Sequence, residues 1–89
     1  MEEKNCPVEM ISVCSTEGRI LPVRFRFETA ERSVRTVQIS EVISSKEICY
    51  VGIEAIIYIC KAQMEEKERL LELKYTVRTH RWVLFRVIY

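Results

Sequence analysis

Leu21, Val23, Phe25 and Phe27 alternate with Pro22, Arg24, Arg26 and Glu28. A period of two places one set of side chains on each face of a strand, so this stretch predicts a strand with an apolar and a charged side. Upstream, Ser15-Thr16-Glu17-Gly18-Arg19 has the composition of a hairpin turn, which implies an earlier antiparallel strand over 8–14. Pro22 has no amide hydrogen to donate, so its strand must meet an edge or a bulge there. After a polar turn at 29–33, Val37 and Ile39 alternate with Thr36 and Gln38, predicting a strand over 34–42. Ser44-Ser45-Lys46-Glu47 then has the polarity of a loop.

The stretch 53–75 admits two readings. As a helix, Ile53, Ile56, Ile57, Cys60, Met64 and Leu71 share a face, and 65–69 would be its charged surface. As a hairpin, Ile57 and Ile59 oppose Tyr58 and Cys60, a polar turn covers 65–67, and Leu71, Leu73 and Tyr75 alternate with Glu72 and Lys74. The helical stripe breaks at Lys67 and Glu68 while the later alternation is clean, so the hairpin is favoured. A tight turn at Arg78-Thr79-His80 leads to a last strand over 82–89 that is apolar on both faces, as expected of a strand covered on both sides. The pattern predicts an all-β fold, a small antiparallel meander or barrel of five to seven strands. The alternative is an α+β fold with a helix within 53–75.

Composition supports the sheet. Isoleucine and valine number 20, whereas leucine and alanine together number eight. β-Branched side chains lose rotamer freedom in helices and pack well on a pleated surface. The 89 residues suffice for one domain over 1–89, with 1–7 expected as a flexible N-terminal arm. The N-terminus has no basic and apolar signal, and the longest apolar run, 55–60, has six residues, far below the roughly 20 of a membrane span. A cytoplasmic location with no membrane partner is therefore expected. In that compartment Cys6, Cys14, Cys49 and Cys60 read as free, mostly buried thiols, and their spacing does not suit a structural zinc site.

The order of markers resembles that of small uncharacterised bacterial β domains, found for example in clostridia. Those markers are Gly18-Arg19 followed by Pro22 and Phe25, the isoleucine/valine strand at 37–42, Tyr58 to Cys60, and Arg81-Trp82 opening the last strand. The resemblance spans about 8–85 and implies a small β fold, with no catalytic residues attached to it.

Candidate chemistry is sparse. The chain contains no aspartate and a single histidine, His80, which removes a Ser-His-Asp triad and any aspartate-based metal site. Cys49 and Cys60 lie among apolar neighbours, where thiols become inert. Gly18 and Gly52 stand too far apart for a phosphate loop. No enzymatic activity, metal or cofactor is expected. Two binding readings remain. Arg24, Arg26 and Arg35 could share a strand face, and Arg78 and Arg81 bracket His80 beside Trp82, a set that suits a single-stranded nucleic acid. A net charge of +1 and interspersed glutamates such as Glu28, Glu31, Glu41 and Glu47 oppose this. The favoured reading is a non-catalytic domain acting through protein contacts, including self-association as a homodimer. Its expected interface is Trp82, Val83, Phe85, Val87 and Tyr89, the two-sided apolar run at the chain end.

Overall fold

A computed structural model describes residues 4–88. Six strands follow in chain order: β1 (Lys4–Cys14), β2 (Ile20–Glu28), β3 (Val34–Tyr50), β4 (Ile53–Met64), β5 (Lys67–Thr76) and β6 (Arg81–Val87). Each pairs antiparallel with the next, and β6 returns to β1, so the sheet closes into an up-and-down barrel. The all-β expectation holds, and 53–75 is the hairpin of β4 and β5. Its polar turn is two residues, Glu65 and Glu66, both at positive φ. No helix is long and apolar enough to cross a membrane among the described residues.

Alternation decides which side chains fill the interior. Phe25 and Phe27 of β2, Tyr58, Cys60, Ala62 and Met64 of β4, Leu71, Leu73 and Tyr75 of β5, and Trp82 and Leu84 of β6 are buried. The small Ala62 and Cys60 belong to the same core cluster as Phe25, Phe27, Tyr58, Tyr75 and Trp82, so large and small residues share the lumen. No charged side chain is buried among the described residues. Full burial of a side chain such as Leu84 stabilises the fold by about 2 kcal/mol.

The turns show how so few glycines suffice. Gly18 (φ 84°) closes the β1–β2 turn, with its amide donating to the Ser15 carbonyl at 2.9 Å. The β2–β3 turn repeats that pattern with an arginine in the glycine's place: Arg32 (φ 65°) donates to the Thr29 carbonyl at 2.9 Å. Turn chemistry was legible at Gly18 and disguised at Arg32.

Two expectations about elements and one about thiol burial are corrected. Residues 44–47 are strand, because Ser44, Ser45, Lys46 and Glu47 pair with Ile59, Tyr58, Ile57 and Ile56 of β4. The isoleucine-rich neighbour templates a polar stretch that would not form a strand alone, and the turn falls at Val51-Gly52 instead. Residues 4–7 belong to β1, where Lys4, Cys6 and Pro7 pair with Arg86, Leu84 and Val83, rather than to a flexible arm; residues 1–3 lie outside the described ones. Of the thiols, only Cys60 is buried; Cys6 is half-buried, and Cys14 and Cys49 are exposed. Pro22 conforms, sitting at a bulge opposite Ser12 and beyond the β2–β3 ladder.

Candidate functional site

In an up-and-down barrel the connections alternate between its ends, so the β1–β2, β3–β4 and β5–β6 turns share one end. Two features of that end stand out, a cleft and a projecting hairpin tip.

The cleft opens where β1 leaves β6. Their ladder runs from the Lys4–Arg86 pair to the Val8–Trp82 pair, after which β1 continues along β2 alone. The resulting gap, about 620 Å³, is lined by Val8, Met10, Ser12 and Ile20 on one side and Tyr75, Trp82 and Val83 on the other. Glu9, His80 and Arg81 also reach it, with the Glu9 carboxylate ion-paired to Arg26. Trp82 stacks on Tyr58 (ring centroids 5.4 Å apart) and tilts against Tyr75 (4.8 Å). The Tyr75 hydroxyl is 2.8 Å from His80 Nδ1, and the two rings are tilted at 43° with centroids 6.3 Å apart. The Tyr58 hydroxyl donates to the Ile20 carbonyl, and burial raises its pKa despite the opposing effect of Arg19. Burial pushes the Cys60 thiol up to about 12, so it stays protonated and unreactive near neutrality.

The tip belongs to β3 and β4. β3 pairs with β2 only over Val34–Gln38, whereas its ladder with β4 continues to the Tyr50–Ile53 pair. β5 stops at the Ala55–Thr76 pair, so the hairpin extends past it. A two-residue turn of Val51 (φ 53°) and Gly52 (φ 78°) closes this hairpin. Both positive φ values match the twist of a tight hairpin. Tyr50 is 77% exposed and Val51 81%, and Ile53 beside them is 44% exposed. Two bulges, at Ser40 and Ile43, and the charges of Glu41, Lys46 and Glu47 interrupt the free edge of β3, which blunts it against strand addition.

The arginines selected from the sequence do not gather. Arg24 and Arg26 face outward from β2 opposite Gln38 and Thr36, and Arg26 is held by Glu9. Arg35 pairs across from Phe27, on the other side of β3 from the outward set, and bonds Glu65 at 3.5 Å at the far end of the barrel. One residue of alternation separates it from the face it was expected to join. Arg78 and Arg81 lie at the cleft end, in and just after the β5–β6 turn. Trp82 is enclosed between two tyrosines and offers no free face to a base.

The expected apolar interface is likewise divided. Trp82 points inward, and Val87 packs against the core. Phe85 is the extra residue of a bulge between the Glu72–Arg86 and Leu73–Leu84 pairs, and is half-buried. Val83 is half-buried between Pro7 and Lys74. Tyr89 lies outside the described residues. That bulge explains the two-sided apolar pattern, because inward positions change parity across it. The pattern marks Tyr50, Val51 and Ile53 only through Gly52, a turn residue ahead of the apolar run 55–60. Among the described residues no three metal-ligating side chains come together. Comparison of the chain with protein-family models, curated proteins and solved structures finds no match.

Proposed function

We propose that this protein is a non-catalytic β domain that docks on another polypeptide through the tip of its β3–β4 hairpin. The observation that carries this reading is the tip itself, Tyr50-Val51-Gly52-Ile53. It places a tyrosine and a valine almost wholly in water at the most protruding part of that hairpin. Asn or Gly suits the first position of such a turn, whereas a β-branched residue at positive φ is strained. The positive φ at 51 closes the hairpin, but a valine there is 81% exposed and adds about 1 kcal/mol of strain or more without burying itself in return. It gives a partner a rigid apolar knob. Tyrosine is among the residues enriched at protein contacts.

The rest of the surface supports binding rather than chemistry. The lone imidazole has one nitrogen occupied by Tyr75, and the most enclosed thiol is held neutral. The tip is flanked by Glu47 and Glu54, which disfavours nucleic acid and anionic lipid as its target. The arginines that a nucleic acid would require are divided between the two ends and partly engaged by Glu9 and Glu65.

A photo-crosslinking side chain at position 51, with position 31 in the opposite-end β2–β3 turn as control, tests the reading in the cells that make the protein. The expected result is a discrete protein adduct at 51 that is absent at 31. Absence of any adduct at 51, or an adduct to nucleic acid or lipid, would overturn it.

A further inference from the structure

Apart from the docking tip, we infer that the cleft between β1 and β6 is a binding site for an aliphatic carboxylate of medium chain length. Its tail lies against Val8, Met10 and Ile20, and its head meets Arg81 and His80.

Position makes the site. Val8, Met10 and Ile20 pack against the core with part of their surface and line the gap with the rest. They stay half-buried because β6 begins at Arg81, so β1 has no neighbour on that side beyond the Val8–Trp82 pair. The lumen is filled by Leu71, Leu73 and Leu84, so the mouth and not the interior has the room. Small molecules bind at the mouths of β-barrels, and a gap of about 620 Å³ has the capacity for one.

The wall selects the tail. Trp82 is buried, with Tyr58 stacked on it and Tyr75 tilted against it, so it offers no open face to a flat ring. A flexible hydrocarbon chain needs no such face. It can follow the aliphatic surface of Val8 and Ile20, and Met10 adapts to the shape it receives.

Charge selects the head. Arg81 lines the cleft, and its guanidinium makes no ion pair or hydrogen bond among the described residues. Donation from the Tyr75 hydroxyl to Nδ1 of His80 puts the ring proton on Nε2, a donor with no protein partner among the described residues. The acids of this end of the barrel are placed elsewhere. Glu9 lines the cleft but is ion-paired with Arg26, and Glu47 shares a separate pocket with Arg19. Glu54 lies beside the β5–β6 turn, where its carbonyl accepts the Val77 amide at 3.0 Å, and does not line the cleft. A lone guanidinium matches the single charge of a carboxylate, and the bonds between them are charge-assisted, about twice as strong as neutral ones.

Trp82 is the only tryptophan of the chain, so its emission reports on the cleft, and titration calorimetry gives an independent stoichiometry. The probes are decanoate below its micelle concentration, 1-decanol and decyltrimethylammonium. Decanoate should bind saturably, one molecule per chain, with decanol weaker by about tenfold or more and the cation not binding. Arg81→Gln, at an exposed position, should remove the preference for decanoate over decanol and leave the melting temperature unchanged. Ser12→Phe fills the cleft and should abolish binding of both, whereas Val51→Asn at the tip should change neither. Absence of binding by both measurements, equal affinity for decanoate and decanol, or binding indifferent to Arg81→Gln and Ser12→Phe would overturn the inference. Binding lost in Val51→Asn would place the probe at the tip and overturn it as well. Crosslinking at position 51 tests the docking reading separately, so either can fail alone.

Discussion

Cys60 shows how strongly a single position is governed by its surroundings. It lies on the inward face of β4, fully screened from water, and burial alone moves its thiol from 9.0 to about 12. The unfolded chain loses this proton first as pH rises, so the linkage has a definite sign. The contribution of this thiol to stability is fully present below pH 9 and is lost as pH climbs from 9 towards 12, the folded-state value. Urea denaturation across that window should show a decline that Cys60→Ala makes shallower. An equal slope in the variant would refute the assignment. The identity of Cys60 as a small inert hydrophobe was readable from its apolar neighbours; the exposure of Cys49 was not. Cys49 lies in the part of β3 that runs on beyond its pairing with β2, where the neighbouring barrel wall no longer covers it.

At the scale of the element, β1 is divided in a way no local pattern announces. Its first half completes the barrel through β6 and its second half pairs with β2. The sequence marks 8–14 by alternation, yet Lys4, Asn5, Cys6 and Pro7 look like an arm, because a polar start and a proline carry little strand propensity. Their place is decided by β6, whose backbone would otherwise be an open edge. Removing residues 1–8 abolishes the closing ladder and exposes that edge. The truncated chain should lose its cooperative unfolding transition and aggregate with rising concentration by light scattering. A soluble, cooperatively unfolding product would show that closure is dispensable.

Across the whole molecule, closure joins the first strand to the last, pairing Lys4 with Arg86. Loop-closure entropy is lost before such a contact can stabilise anything, so folding should be slow for a chain of this length. Stopped-flow refolding should give relaxation times on the order of milliseconds to seconds, as in other domains dominated by non-local β pairing. Microsecond refolding would contradict the closed topology. The same closure creates the candidate site, since cleft and tip face each other across one end only after β6 meets β1.

The alternation of 21–28 and 71–75 sufficed for the strand character and inward faces of β2 and β5, because side-chain direction in a strand is a local property with a period of two. The excess of isoleucine and valine sufficed for sheet over helix on the same local grounds. Whether 44–47 became loop or strand, where Arg35 and Trp82 ended up, and which end gathers the exposed aromatic tip were settled by pairing between strands. Register and bulges are relations between distant segments, and one extra residue at Ile43 or Phe85 reverses the face of everything beyond it. No single stretch of sequence contains that information.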